Sequence, residues 1–564
     1  MMRETLRFLT APVRGLHSAV YILAAFAVLS SLLALLRDRL FAHYFGAGTE
    51  LDIYYAAFRI PDLLFVAIGS LVSVYILIPE LSKRSLLERR TYIDTVVVGF
   101  SILAVLSAVV AAIFAPKLLA LLFPQFAGSG SLSTVVLLTR IMLLQPILLG
   151  LSNILAALTQ TAHRYVLYSL SPVLYNLGII LGLVVLYPQM GLAGLAWGVV
   201  LGAALHLGIQ VPSAVGDGYF HALPLLREKK ALMRTALISI PRALTLSMNQ
   251  LAFLALLVLA GMLSSGSIAV FVFGYNLMSV PLSIIGASYS VAAFPTLASA
   301  LSRGSKDDFI QYVGIAARYI LFWSLPATAL AIVLRAHLVR VVLGSGAFDW
   351  TDTRLTAAVF AILSLTLAAQ GLMLLLARAY YAAGRTFVPF IVATFSAVGT
   401  LALGVGLLRA FEYPHVVHFA DRLMRLESVP GTSIIALAVA FALTSIVATL
   451  TLALLFERRF GGFFGHIART MWQAGAASLG AGMAAYLVLA ALGPLTLFST
   501  VLSVFSKGFA AGLAGIATAA FVYALTRNRE YRETITAIRA RLWKEEYPAS
   551  PPLASAEEIS SSSP

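Results

Sequence analysis

Runs of about twenty apolar residues recur along almost the whole chain, separated by short loops rich in lysine and arginine. Each run is long enough to cross a hydrocarbon core of about 30 Å as a helix. Inside lipid every backbone N–H and C=O must find a partner within the protein, which leaves helices or closed barrels. The runs are too long, and alternate too rarely, for barrel strands. Composition agrees: 60% of the 564 residues are hydrophobic and 11% are charged, where a soluble domain carries roughly 25% charged residues. The chain is therefore read as an all-α polytopic membrane protein.

Fourteen spans are expected, at 17–45, 51–80, 92–122, 131–159, 163–187, 191–213, 232–263, 267–300, 309–343, 352–382, 386–411, 431–456, 466–492 and 499–526. Arg3, Arg7 and Arg14 precede the first run, which lacks a small-residue cleavage pattern and is read as a retained span. Most of the 39 lysines and arginines fall in the N-terminus, the even-to-odd loops and the C-terminal tail. Examples are Lys83, Arg84, Arg227, Lys229, Arg458 and Arg459. This asymmetry predicts a multi-pass protein of a cytoplasmic membrane with both termini cytoplasmic. The net charge of +15 then reflects loops facing anionic membrane lipids, not a nucleic-acid partner.

A faint direct repeat refines the architecture. I-G-S-L-V-S-V-Y-I-L-I-P-E-L-S begins at Ile68, and I-G-A-S-Y-S-V-A-A-F-P-T-L-A begins at Ile285, so Gly69 and Gly286 correspond. T-A-H-R-Y around Arg164 matches A-A-G-R-T around Arg385. A repeat of an even number of spans keeps its orientation in the membrane, the parallel plan of transporters that open alternately to each side. The expected organisation is two pseudo-symmetric six-helix lobes plus a C-terminal helix pair. A cytoplasmic N-terminus (1–16) precedes the N-lobe (17–213). A linker (214–231) leads to the C-lobe (232–456), followed by helices thirteen and fourteen (466–526) and a cytoplasmic, partly disordered tail (527–564).

No enzyme constellation is present: there is no G-x-x-x-x-G-K-[ST], H-E-x-x-H or G-x-S-x-G. With no cysteine, thiolate metal sites, iron–sulfur clusters and cysteine nucleophiles are excluded. His415 and His418 stand three apart in the long loop 412–430 without further clustered ligands, so an amphipathic surface turn is favoured over a metal site. No cofactor is expected.

Charges inside spans are costly and call for a reason. Arg37 and Asp38 are adjacent and are not expected to pair within their helix. Arg59 and Asp62 flank Pro61, which removes a backbone donor and bends the second span. Arg242 follows Pro241 and shares a helix face with Asn249. Asp52, Gln250 and Asn276 are further polar positions in the spans. Arg37, Arg59 and Arg242 are expected to line a cavity suited to a phosphate or pyrophosphate, whereas Arg140, Arg318, Arg378 and Lys507 are read as snorkelling or interhelical-bonding side chains. The small residues from Ala474 and from Gly508 fit either a groove for a lipid tail or close helix packing.

The run L-L-R-D-R-L-F-A-H-Y-F-G-A-G-T-E-L-D-I-Y-Y-A-A-F-R-I-P-D-L-L resembles the opening of the MurJ/MviN lipid II flippases of the MOP superfamily. So do S-P-V-L-Y-N-L-G-I-I-L-G, G-L-A-G-L-A-W-G-V-V-L-G-A-A-L-H-L and I-P-R-A-L-T-L-S-M-N-Q. The resemblance covers about residues 18–530. It implies movement of an undecaprenyl-pyrophosphate-linked peptidoglycan precursor to the outer face of a bacterial inner membrane, and cell-wall synthesis machinery as a possible partner. By this resemblance Arg37, Asp38 and Asp52 match polar motif positions, Arg242 and Gln250 match the seventh-helix motif, and Asn276 stands where the family has an arginine. The family's S-R is Ser30-Ser31 here, and an arginine pair after the second-helix proline is Phe65-Val66. Another polyprenyl-linked cargo and a non-transporting envelope scaffold stay open. A drug antiporter ranks third, needing a proton-cycling carboxylate among Asp38, Asp52 and Asp62.

Overall fold

A computed structural model describes residues 16–72, 77–78, 80–81, 83–220, 225–427, 429–495 and 500–543, the side chains of 16–21, 238, 241–242 and 540–543 excepted. The expected cytoplasmic N-terminus, apart from residue 16, and the tail beyond residue 543 lie outside these residues. Among the described residues every regular element is a helix. Two compact units are formed, Met1–Ala269 with Ser345–Phe348, and Val270–Gly344 with Asp349–Pro564.

The first unit contains α1 (Leu16–Phe45), α2 (Thr49–Ala57), α3 (Arg59–Leu64), α4 (Leu86–Leu122), α5 (Pro124–Gly128), α6 (Leu132–Met142), α7 (Leu144–Thr161), α8 (Tyr165–Leu181), α9 (Tyr187–Met190), α10 (Leu192–Gly208), α11 (Val211–Gly216) and α12 (Lys229–Gly261). Helix α13 (Ser267–Leu282) carries the chain onward. The second unit continues through α14 (Ser288–Ser302), α15 (Lys306–Val333), α16 (Arg335–Val342), α17 (Trp350–Ser364), α18 (Leu367–Ala382), α19 (Phe387–Ala410), α20 (Pro414–Met424), α21 (Ile434–Phe460), α22 (Phe463–Leu492), α23 (Val501–Leu525) and α24 (Arg529–Trp543).

Among the described residues, twelve helices are long and apolar enough to cross a membrane, or thirteen counting the pair α17–α18, bent by 45°. The ninth span stops at Val333, short of the expected 343, because Arg335, His337 and Arg340 end the apolar run and form the separate α16. The fourth and tenth spans are both broken, for different reasons. Between α6 and α7, Pro146 has no N–H to give the carbonyl of Met142. Between α17 and α18, Ser364 and Thr366 turn their hydroxyls back onto the carbonyls of Phe360 and Leu363, both at 2.7 Å.

The sequence repeat has a backbone counterpart. Gly69 and Gly286 each lie in a five-residue π-helical segment, Phe65–Gly69 and Ser283–Ala287. Ser85 and Ser305 each cap the next long helix, with Glu88 and Asp308 as the third-position partners. The turns at Arg164 and Arg385 carry one hydrogen-bond pattern. Ala162, His163 and Arg164 donate to Leu158, Gln160 and Thr159; Ala383, Gly384 and Arg385 donate to Ala379, Tyr381 and Tyr380. Both turns need a left-handed residue, His163 at φ 56° and Gly384 at φ 67°.

Small residues set helix spacing in both units. Gly178 of α8 and Gly182, which begins the π-helical segment Gly182–Leu186 just past it, meet Gly202 and Gly198 of α10 so closely that a Cβ at Gly182 would lie 2.4 Å from the Gly198 Cα. In the second unit Ala474, Ala477, Ala481 and Ala485 of α22 are fully buried, and a Cβ on Gly515 of α23 would meet the Ala481 carbonyl at 2.9 Å. Ala474 to Ala485 of α22 and Gly515 of α23 thus form a packing seam.

Candidate functional site: a buried polar cluster on the first unit

Pro61 organises the start of this cluster. It cannot donate to the Ala57 carbonyl four residues back, and α2 gives way to α3 at Phe58. The freed Ala57 carbonyl accepts instead from the Thr139 hydroxyl of α6 at 3.1 Å. Arg59, at the start of α3, folds back so that its Nε donates to the Tyr55 carbonyl at 2.8 Å. Its Nη2 lies 3.3 Å from Asp62, and the guanidinium sits over the Phe253 ring of α12, 5.4 Å from the centroid. Arg59 is 7% exposed. It is the locked member of the cluster.

Arg37 is held differently. Its Nε and Nη2 donate to Asp38 Oδ1 at 3.1 and 2.8 Å, and its Nη1 to Asn176 Oδ1 at 3.1 Å. The expectation that adjacent Arg37 and Asp38 would not pair is corrected. The long arginine stem lets the guanidinium curl back to its neighbour, a geometry that Cβ spacing alone does not capture. Asn176 is itself positioned by donating to the Pro172 carbonyl at 3.1 Å and the Ser30 hydroxyl at 3.3 Å. A guanidinium has five N–H donors, and these bonds use three. The Arg37 side chain keeps 20% of its surface, against 4% for Asp38.

Asp52 has both oxygens engaged. Oδ2 accepts from the Gly266 N–H at 2.7 Å and Oδ1 from the Ala269 N–H at 2.8 Å. It therefore caps the N-terminus of α13, satisfying donors a helix start leaves open. Gly266 is at φ +86°, and a Cβ there would meet the Ala47 carbonyl oxygen at 1.8 Å, so only glycine permits this approach. Nearby, Gln145 donates to the Tyr175 hydroxyl at 3.1 Å.

The structure thus brings Arg37, Asp38, Asp52 and Arg59 onto α1–α3 of one unit. Gln250 lies on α12 of that unit, half-buried, whereas Asn276 lies on α13 among the residues of the second unit, also half-buried. The Arg242 side chain falls outside the described residues. Sequence reasoning did not single out Asn176. The available signal was its position four residues after Pro172, where a side-chain amide can serve a proline-disturbed turn. The four arginine and lysine side chains read as structural do make such bonds. Arg318 pairs with Glu530 at 2.7 Å, Arg140 donates to the Ala112 carbonyl at 3.1 Å, Arg378 to that of Ala287 at 3.3 Å and Lys507 to that of Gly493 at 3.3 Å. In the long loop, 414–424 forms the amphipathic α20, with Phe419 and Leu423 exposed.

A family model described as lipid II flippase MurJ matches residues 41–506. A probable lipid II flippase MurJ of Buchnera aphidicola subsp. Acyrthosiphon pisum (strain APS) is 24% identical over 402 residues, 68% of this chain and 77% of that one. A solved structure of lipid II flippase MurJ in an inward closed conformation aligns with a TM-score of 0.70 at 21% identity, covering 91% of this chain and all of that one. An inward-facing multidrug resistance MATE family transporter of the MOP superfamily aligns with a TM-score of 0.61 at 14% identity, covering 77% of this chain and 96% of that one. The last two likenesses establish the transporter fold.

Proposed function

The chain belongs to the lipid II flippase MurJ family, and we propose that it carries lipid II from the inner to the outer face of the membrane by alternating access. The observation that supports this reading most directly is Arg37, a partly exposed guanidinium inside an apolar unit with N–H donors beyond those its partners use. A pyrophosphate is the kind of group such a fork holds. Each charge-assisted hydrogen bond contributes about 1.5–3 kcal/mol. Asp38 and Asn176 fix the fork, and Asp38 offsets part of its charge. That favours binding that is firm enough to capture an anion and weak enough to release it.

The other polar residues take different parts in this reading. Arg59 contributes positive potential from a locked position, and Asp52 positions α13 and does not touch substrate. Arg242, Gln250 and Asn276 are kept as further candidate substrate-binding positions on the family resemblance alone. Asp38, Asp52 and Asp62 are each engaged by an arginine or by backbone amides, which counts against the proton-cycling carboxylate of a drug antiporter. The twelve spans and the bent pair, with the 30-residue α1, support a reading of fourteen helices, for which we propose two six-helix lobes, a terminal pair and cytoplasmic ends.

The test is complementation in cells depleted of the parent protein, with lipid II measured on each face of the membrane. Arg37→Ala, expressed at the parent level, is expected to leave lipid II on the inner face, and Arg37→Lys to restore part of the flux because it lacks the bidentate fork. Translocation by Arg37→Ala at the parent rate would sink the proposed role.

A further inference from the structure

A second concentration of positive charge lies within the second unit, at the end of α15 remote from α24. A cavity of about 580 Å³ opens there between α16, the start of α17, the end of α20 and the end of α22. Arg335, Arg354 and Arg425 all line it, together with Trp350 and Tyr486, and among the described residues no aspartate or glutamate does. Two of the three guanidinium groups are held by backbone oxygen. Arg335 donates to the Met424 carbonyl at 2.9 Å, and Arg354 donates to the Arg425 carbonyl. Among the described residues none of the three forms an ion pair with a carboxylate. Burial first, and then the like charge of Arg425, lower the Arg335 pKa from its ordinary value. Clustering cations without a counter-charge is unfavourable unless an anion completes the site.

His337 marks the back of this cavity. It is 8% exposed, and neither ring nitrogen has a hydrogen-bond partner. A buried imidazole left without partners is uncommon, since such groups normally satisfy at least one bond. His337 also lines a second cavity of about 250 Å³, whose other walls are apolar residues of α16 and α23, including Leu338, Phe505, Phe509 and Leu513. Gly508 lets α23 lie close against His337, where a Cβ would meet the His337 Cβ at 3.1 Å, and Gly512 lies against Leu334, where a Cβ would be 3.5 Å from its Cδ1. One side of His337 is therefore cationic and the other is oily.

We propose that these adjoining cavities form a lipid-phosphate site distinct from the Arg37 cluster, taking an anionic phosphate headgroup among Arg335, Arg354 and Arg425 and its hydrocarbon chain beside α23. The occupant has a phosphate ester on a long chain, a chemistry shared by bilayer phospholipids and by a polyprenyl phosphate carrier. Trp350 and Tyr486 suit the interfacial depth at which such a headgroup sits. His337 donates to the phosphate from the junction, which supplies the partner its ring lacks.

Native mass spectrometry of the full chain in detergent, titrated separately with dioleoyl phosphatidic acid, undecaprenyl phosphate, dioleoylglycerol and inorganic phosphate, tests this. One lipid phosphate is expected to bind per chain at concentrations where dioleoylglycerol does not bind and inorganic phosphate does not displace it. The tighter of the two lipid phosphates identifies the source. Arg354→Ala with Arg425→Ala should weaken binding at least tenfold. Arg425→Ala alone removes only an exposed side chain, so it keeps the test valid if the double variant misfolds, and it should weaken binding several-fold. His337→Phe, which keeps the charges, should also weaken it. Parent-like binding by the Arg425→Ala variant, equal binding of dioleoylglycerol, or displacement by inorganic phosphate would each overturn the assignment. The readout is binding and not translocation, so its failure is separate from failure of the flippase reading.

Discussion

At the scale of single residues, the polar groups in the first unit mostly repair the backbone. Pro61 orphans the Ala57 carbonyl, and Thr139 takes it up; Asp52 supplies two acceptors to the start of α13. Leaving a buried carbonyl without its donor costs about 1–3 kcal/mol. Thr139→Val, which keeps the shape and removes the hydroxyl, should destabilise the protein by about that amount, seen as a lower midpoint of thermal unfolding in detergent. An unchanged midpoint would show that the carbonyl finds another donor. The consequence of Pro61 was legible in the sequence, but its rescuer was not: Thr139 is 82 positions away, and nothing in the apolar run of α6 marks that hydroxyl. Likewise the pairing of Arg37 with Asp38 depends on how a flexible stem curls, which a helix-face argument does not contain.

At the scale of elements, α24 shows how an amphipathic helix is fastened to the second unit. Arg318 of α15 pairs with the 2% exposed Glu530. Glu533 accepts from the Tyr319 hydroxyl at 2.6 Å and from Arg529 at 2.7 Å. Burial alone would raise the Glu533 pKa, but the bonds from Tyr319 and Arg529 outweigh it and hold it below the ordinary glutamate value. The unfolded chain therefore binds the proton more readily than the folded one. The stabilisation from Glu533 is complete above the ordinary glutamate pKa and is lost as pH falls through the lower folded value. Glu533→Gln should weaken α24 docking at neutral pH and flatten that acid dependence, measured as protease sensitivity of α24 across pH 3–7. An acid profile matching the parent's would refute the role. Element type was readable from apolar run length, and the break near Pro61 from its proline; the break between α17 and α18 was not, since they part without one.

At the scale of the whole molecule, the basic loops make a topological claim that a cysteine-free chain tests cleanly. Single cysteines at positions 264 and 229 should react oppositely with a membrane-impermeant reagent in intact cells, 264 labelling and 229 not. The reverse pattern would invert the proposed orientation. The fold was legible because membrane burial writes itself into composition over hundreds of residues. The polar cluster was legible only as a set of candidates, because which arginine is locked and which retains donors is decided by partners on other helices.

The two turns with one hydrogen-bond pattern, at Arg164 and Arg385, say something about inheritance. Between the paired glycines and the paired turns the second copy has gained four residues, and three of them fall between Gly286 and its Ser305 cap relative to Gly69 and Ser85. The added residues fall in two separate stretches, and the paired glycines, caps and turns persist on either side of them. Side chains diverged freely, as His163 against Gly384 illustrates, while the π-helical glycines, these serine caps and these two turns did not. Descent in this molecule is recorded in its punctuation.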